Sequence, residues 1–305
     1  MENPNSSERN IANQGQEGLS VPSSVEFMRR LGQQLEGTRG QELIEGLDVF
    51  WKKTKLFYDQ YWDTEVSKSG NLYHQKDEPF RYFEQKDELE SLTEEDSGVL
   101  EPGNKVAEDA IREIYLSFDL YACIKGLQPD LIIPLVNGAV RMAAMAKALG
   151  IDSENYLSIH RQTGDEYRKS LPAMPIYHGK TIERGSKVLL LEDTSSLEGD
   201  RTYRDARTWL EGQGVSDVPV FLEFVTAVNP HTEASKDFTD QQFIDIQEEL
   251  NRENCYNSFN RGAPKPDSKF WTETKSKLSE ITEQNPNLYD SFFELIRDMK
   301  KEIPE

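Results

Sequence analysis

Residues 131–150 read LIIPLVNGAVRMAAMAKALG and contain a complete strand–turn–helix unit. The run LIIPLV (131–136) is almost wholly apolar, which is typical of a strand buried on both faces of a parallel sheet. Asn137-Gly138 provides the turn, and AVRMAAMAKALG (139–150) reads as a helix that ends at a glycine. This unit predicts an α/β core.

Further strands alternate with helices on both sides of this unit. The apolar runs YLSIH (156–160), KVLLLED (187–193) and VPVFLEFVTAV (218–228) predict strands, and helices are predicted over 104–127 and near 202–213. Alternation of this kind favours βαβ units with right-handed crossovers. We therefore expect a central parallel sheet of at least four strands.

The segments outside this core differ from it in composition. The first 24 residues are rich in Asn, Ser, Gln and Gly, which predicts a disordered tail. Apolar residues at three- and four-residue steps between Phe27 and Trp62 predict two helices separated at Gly37 and Gly40. The predicted organisation is a tail (1–24), a helical and acidic N-terminal extension (25–103), the α/β core (104–230) and a helical C-terminal extension (231–305).

The charge balance excludes one class of function. The 305 residues include 35 Lys and Arg against 55 Asp and Glu, a net charge of −20. Affinity for nucleic-acid backbones comes mainly from cationic surfaces, so we expect no nucleic-acid partner.

No apolar run approaches the roughly 20 residues that span a bilayer, and MENPNSSERNIANQGQ lacks the features of a signal peptide. We expect no membrane partner, a cytoplasmic location and no disulfide framework from Cys123 and Cys255.

The turn after the first strand is one candidate binding element. A glycine at position 138 lets backbone N–H groups approach an anion, and the following helix adds its positive end. A tight strand-to-helix turn with no ligand explains the same residues. Both interpretations stay open at this point.

The second candidate is VLLLEDTSSLEGDRT (188–202), where Glu192 and Asp193 end a buried strand. Hydroxyl groups and a glycine before a helix suit a phosphate monoester. The carboxylates suit a ribose diol or the water shell of Mg²⁺. The alternative is an acidic helix cap with no ligand. The small and hydroxylated residues of this segment are Thr194, Ser195, Ser196, Gly199 and Thr202.

The two segments together resemble the type I phosphoribosyltransferase family, over about residues 105–228. In that family a strand ending in two acids leads into a 5′-phosphate loop, and an earlier strand ends in a pyrophosphate loop. Glu192-Asp193 resembles the acid pair, 194–202 the 5′-phosphate loop, and 136–139 the pyrophosphate loop. The 5′-phosphate loop is about two residues longer here than the family pattern, and Leu197-Glu198 occupies the stretch where the family has Thr-Gly.

The resemblance implies a Mg²⁺-dependent reaction in which a nitrogen nucleophile, such as a nucleobase, displaces pyrophosphate from phosphoribosyl pyrophosphate. The partner would be this small phosphoribosyl substrate. The implied catalytic residues are Glu192, Asp193, Arg168 and Lys169, with Glu192 and Asp193 also meeting the metal through water. The implied phosphoribosyl pyrophosphate ligands are Asn137, Gly138, Arg141, Thr194, Ser195, Ser196, Gly199 and Thr202.

Several alternatives stay open. The polar segment 161–184 resembles the family's flexible lid, whose Arg168 and Lys169 would close on pyrophosphate, but a solvated basic stretch fits as well. Arg141 reaches a phosphate or is a surface charge. The whole protein is an enzyme, a regulatory protein that kept the fold without the chemistry, or an unrelated doubly wound enzyme. The aromatic residues between 50 and 62, expected to be exposed, would allow a self-interface. The helical extensions would allow a homo-oligomer or a protein partner.

Overall fold

A computed structural model describes residues 23–62, 105–136, 138–151, 155–160, 174–196, 202–226, 239–261 and 269–302. The predictions for most of the tail, for the acidic segment 67–103 and for the first part of the lid lie outside these residues.

The core is a six-stranded sheet in the order β3-β2-β1-β4-β5-β6. Neighbouring strands are parallel except β2 and β3, which are antiparallel. This confirms the predicted α/β class with a central parallel sheet, to which β3 adds one antiparallel edge strand. The strands are β1 (Leu131–Val136), β2 (Tyr156–His160), β3 (Met174–His178), β4 (Val188–Ser196), β5 (Val220–Thr226) and β6 (Cys255–Arg261).

Helices cover both faces of the sheet and continue at both ends of the described chain. Those next to the strands are α3 (Lys105–Leu127), α4 (Val140–Ala148), α5 (Thr202–Gly212) and α6 (Asp240–Arg252). The N-terminal pair is α1 (Ser23–Gln34) and α2 (Gly37–Tyr61). The C-terminal group is α7 (Lys269–Glu273), α8 (Lys277–Gln284), α9 (Leu288–Met299) and the 3₁₀ turn Lys300–Glu302.

Alternate residues of β4 enter two different hydrophobic clusters. Leu189 and Leu191 join residues of α1 to α4, α8 and α9, whereas Val188 and Leu190 join residues of α5 and α6. Successive strand residues point to opposite faces, so a sheet covered on both sides needs apolar residues at consecutive positions. This is why LIIPLV and VLLL are continuous apolar runs.

The aromatic residues between 50 and 62 are mostly core residues, so the expectation that they are exposed is wrong. Trp51 is 5% exposed, and Phe50 is fully buried. The first helix is anchored in the same way, because the ring of Phe27 stacks on Phe118 of α3 at 5.0 Å and on Phe293 of α9 at 5.6 Å. The helical extensions therefore bury their apolar faces against the α/β core.

Two strands lie where the sequence suggested other structures. Strand β3 occupies part of the predicted lid (161–184), where it pairs with β2 as an edge strand. Strand β6 occupies part of the predicted helical extension (231–305), where it pairs with β5. Both have mixed polar and apolar sequences, as expected for strands at the two edges of a sheet, and such patterns are weak sequence signals.

Candidate functional site

The strand order reverses direction between β1 and β4. From β1 the chain proceeds to β2 on one side, and from β4 to β5 on the other. In open α/β sheets, ligands bind in the crevice outside the carboxyl ends of the strands at such a switch point. The turn at Gly138 follows β1, and the two acids lie in the last part of β4, so both candidate segments reach this point.

Gly138 and Asp193 meet at this point. A Cβ atom added to Gly138 would lie 2.0 Å from both Cγ and Oδ2 of Asp193. The carboxylate therefore occupies the space that any larger residue at 138 would need. Gly138 and Asp193 thus lie side by side, so the turn after β1 and the acidic end of β4 are in contact.

The two acids of the predicted pair lie on opposite faces of β4. Glu192 is 8% exposed, and its Oε2 accepts a hydrogen bond of 3.0 Å from the backbone N–H of Tyr203 in the first turn of α5. Asp193 is half-buried on the side of Gly138, and its Oδ1 accepts a hydrogen bond of 2.8 Å from the backbone N–H of Thr194. Glu192 therefore faces the start of α5, whereas Asp193 faces the turn after β1.

The hydroxylated residues are distributed differently from the prediction. Thr194, Ser195 and Ser196 continue β4 as a strand paired with β5, and are not part of a loop. Thr202 is the first residue of α5 and is half-buried. The residues between them, with Gly199, lie outside the described chain.

Arg141 lies inside the protein, so its interpretation as a surface charge is wrong. Its side chain is 10% exposed and forms ion pairs with Glu113 of α3 and with Glu223 of β5, the latter at 2.5 Å. The prediction that Arg141 contacts a phosphate is untested, but a phosphate would compete there with two buried carboxylates.

Burial is the main influence on the Glu113 carboxyl of this ion-paired group. It raises the pKa of the Glu113 carboxyl, and Arg141 opposes the rise. Glu113 Oε2 is buried and has no hydrogen-bond partner among the described residues. Next to Glu113, the guanidinium of Arg112 lies over the rings of Phe224 and Phe259, at 5.5 and 5.0 Å from their centroids.

Glu113 and Glu223 are functional candidates that the sequence analysis did not identify. A signal was available, because Glu223 interrupts the apolar strand VFLEFVT and Arg141 interrupts the apolar helix VRMAAMAKA. Charged residues are almost never fully buried unless they are paired. One acid and one base in buried elements therefore predict an ion pair.

Four predicted site residues lie outside the described chain, and the structure does not test them: Asn137, Arg168, Lys169 and Gly199.

The described residues contain no group of three or more His, Cys, Asp or Glu side chains placed to hold a metal ion. The prediction is that the acids contact Mg²⁺ through its water shell and do not bind it directly. The half-buried carboxylate of Asp193 is suited to such a contact. Glu192 faces α5 and does not share that surface.

Cys123 and Cys255 are both buried free thiols. Within the described ranges, no helix is long and apolar enough to cross a bilayer.

A separate open cavity of about 360 Å³ lies between the start of α2 and the end of α9. Its basic and acidic residues are largely paired with each other, as in the Lys300–Glu42 and Lys301–Asp298 pairs. We assign it no function. It is lined by Arg39, Glu42, Glu294, Arg297, Asp298, Lys300 and Lys301.

No family model matches the sequence. No curated protein matches it either. Solved structures similar to this chain include a purine phosphoribosyltransferase from Pyrococcus horikoshii, with 14% identity and a TM-score of 0.31 over 48% of this chain and 80% of the other. An adenine phosphoribosyltransferase from Thermoanaerobacter pseudethanolicus is similar at 17% identity and a TM-score of 0.35, over 52% and 84% of the two chains.

A third similar structure is a hypoxanthine-guanine-xanthine phosphoribosyltransferase, with 16% identity and a TM-score of 0.30 over 49% of this chain and 77% of the other.

Proposed function

We propose that this protein binds phosphoribosyl pyrophosphate with Mg²⁺ at the carboxyl ends of β1 and β4, and transfers the phosphoribosyl group to a nitrogen nucleophile. The observation that carries the proposal is the contact between Gly138 and Asp193 at the switch point of the sheet. It brings together an anion-binding type of turn and an acid suited to a ribose diol, the two elements of the sequence resemblance.

Each described residue would have a defined part. The backbone N–H of Gly138 would donate to a pyrophosphate oxygen, whereas the N–H of Ala139 already donates to the carbonyl of Leu135. Asp193 would accept hydrogen bonds from a ribose hydroxyl or from a water on the metal. Thr202, at the start of α5, would donate its hydroxyl to the 5′-phosphate. Bound Mg²⁺ would supply charge neutralisation for the pyrophosphate, which the acids near the site cannot provide.

The reaction would be a substitution at C1 of the ribose. A bond forms between the nucleophile's nitrogen and C1, while the bond from C1 to the pyrophosphate oxygen breaks. Pyrophosphate leaves with the electron pair, and the nitrogen releases its proton. The protein would contribute mainly by positioning and charge stabilisation.

Binding is tested with two matched variants. Asp193→Asn neutralises a carboxylate that accepts a hydrogen bond of 2.8 Å from the backbone N–H of Thr194. Asp130→Asn neutralises a carboxylate at the opposite end of the sheet, which accepts a hydrogen bond of 2.8 Å from the backbone N–H of Lys187. Calorimetric titration with Mg²⁺ should show binding by wild type and Asp130→Asn, and at least about tenfold weaker binding by Asp193→Asn. Equal affinities for both variants, or no binding by wild type at millimolar ligand, would refute the proposal.

A second candidate function is a binding or regulatory protein of the same fold without turnover. The ion pairing of Arg141 by Glu113 and Glu223 favours it, because this buried cation is already neutralised inside the chain. Pyrophosphate release is then the deciding assay. Binding without release, across a panel of nucleobases and simple amines, would support this candidate over the enzyme.

A further inference from the structure

A buried ionic cluster joins three elements around the candidate site. Arg141 of α4 lies between Glu113 of α3 and Glu223 of β5, and the three residues are 8%, 5% and 6% exposed. One guanidinium nitrogen pairs with Glu113 and the other with Glu223. The cluster therefore fixes the start of α4 relative to both of its neighbours.

The start of α4 is rigidly connected to the turn at Gly138. The N–H of Ala139 donates to the carbonyl of Leu135 at 3.1 Å, and the carbonyl of Ala139 accepts from the N–H of Ala143 at 3.1 Å. The end of β1, the turn and the first turn of α4 are thus one hydrogen-bonded unit. A movement of Arg141 would be passed on to Gly138, three residues earlier.

The other end of the cluster lies next to Asp193. Strands β4 and β5 are paired at Glu192 with Leu222 and at Thr194 with Phe224, so Glu223 lies beside Asp193 in the sheet. The ion pair between Arg141 and Glu223 therefore links the turn after β1 to the strand beside the Asp193 carboxylate. A Cβ at Gly138 would come within 2.0 Å of that carboxylate, which shows how closely the two must be held.

We infer that Arg141 is a positioning residue, which together with Glu113 and Glu223 holds the Gly138 turn against Asp193 and does not itself contact the ligand. The inference deepens the proposed function. Only its binding test rests on the proposed function, because its hydrogen-exchange test needs no ligand. A buried ion triplet is weak support for stability, since hydrophobic replacements are often neutral or stabilising. Removal of one member alone is destabilising, so the variant that replaces all three residues separates the effect on geometry from the effect on stability.

The deciding variant is Glu223→Gln, with the exposed Glu211→Gln at the end of α5 as its charge-matched control. If Arg141 positions the turn, loss of the ion pair loosens it, and phosphoribosyl pyrophosphate binds about tenfold more weakly in the presence of Mg²⁺. If Arg141 were a phosphate ligand restrained by its carboxylates, Glu223→Gln would free it and binding would tighten. Tighter or unchanged binding would overturn the inference.

Hydrogen exchange provides a readout that needs no ligand. The amide of Ala139 should exchange at least about tenfold faster in Glu223→Gln than in Glu211→Gln, because opening of the turn breaks its bond to Leu135. The combined variant Glu113→Met, Arg141→Met and Glu223→Met should show the same acceleration while unfolding near the wild-type temperature. Unchanged Ala139 exchange in folded variants would overturn the inference.

The two proposals fail in different ways. If the wild type does not bind phosphoribosyl pyrophosphate but Glu223→Gln accelerates exchange at Ala139, the proposed function is refuted and the positioning role is supported. Wild-type binding that Glu223→Gln leaves unchanged would support the proposed function and refute the positioning role.

Discussion

Asp193 makes different contacts from its neighbour Glu192, although the sequence presents them as a pair. Glu192 accepts a hydrogen bond from the first turn of α5, where the positive end of a helix favours a carboxylate. Asp193 lies against Gly138 on the other side of the strand. The two acids therefore have different surroundings, and only Asp193 faces the turn after β1.

Gly138→Ala should be one of the more damaging single-methyl changes in the protein. The new Cβ would lie 2.0 Å from the Asp193 carboxyl group, so the turn or the carboxylate has to move. We expect a loss of about 1–3 kcal/mol in the free energy of unfolding, measured by urea denaturation. We also expect weaker binding of phosphoribosyl pyrophosphate.

Gly32→Ala is the matched control for this change. Gly32 lies within α1, and an added Cβ would meet no atom within 4 Å. Because alanine is the better helix former, this variant should be about 0.5–1 kcal/mol more stable than wild type. Equal stabilities for Gly138→Ala and Gly32→Ala would contradict the close contact at the switch point.

At the level of elements, α2 and α9 cross at very close range. A Cβ added to Gly46 would lie 1.9 Å from the carbonyl oxygen of Ile296, a backbone atom that cannot rotate away. Gly46→Ala should therefore separate the two helices and cost about 3 kcal/mol in unfolding free energy. This would show that the N- and C-terminal helices belong to the cooperative fold.

Gly126→Ala provides the comparison for that prediction. It places a methyl group 2.6 Å from the Cγ2 of Ile281, a side chain that can change rotamer. We expect a clearly smaller loss in the same denaturation experiment. If Gly126→Ala lowered the unfolding free energy as much as Gly46→Ala, the contact with a backbone atom would not explain the loss at Gly46.

The elements that sequence predicts well are those with one dominant pattern. The strands predicted at 131–136 and 187–193 contain the apolar runs LIIPLV and VLLL, and the helix predicted at 104–127 keeps one apolar face. Each begins within one residue of its predicted start, although β4 continues three residues further, to Ser196. Strands β3 and β6 lie at the sheet edges, where one side of the backbone has no partner strand and the residue pattern is mixed. Their position depends on pairing with β2 and β5, which local sequence does not encode.

The candidate site was predictable to the same extent. The turn at Gly138 and the acid at Asp193 follow apolar strands, and their proximity follows from the sheet order. The separation of Glu192 from Asp193 follows from alternation along the predicted strand 187–193, but the family resemblance presents the two acids as one pair with a shared role. The burial of Arg141 between Glu113 and Glu223 depends on three elements that meet only in the folded chain.

At the level of the whole molecule, Asp119 should make stability depend on pH. It is fully buried in α3, where burial raises its pKa to about 8 from 3.8, and hydrogen bonds from Ser258 and Tyr115 only partly oppose the rise. Between these values the folded state holds a proton that the unfolded state has released. Unfolding free energy should therefore fall as pH rises from about 4 to 8, by about 1.4 kcal/mol per pH unit from this group.

Asp119→Asn tests this contribution, because the amide resembles the protonated acid in size and cannot titrate. Urea unfolding of wild type and variant at pH 5 and pH 8 should show a larger loss for wild type between the two values. Parallel losses in both proteins would mean that Asp119 does not carry this proton.

The central claim is that a phosphoribosyl ligand binds at the ends of β1 and β4. The most direct test is hydrogen–deuterium exchange of the wild-type protein with and without phosphoribosyl pyrophosphate and Mg²⁺. We expect slower exchange in peptides covering 135–143 and 192–204, and no change in 37–47, which borders the separate cavity. Protection confined to 37–47, or no protection at millimolar ligand, would contradict it.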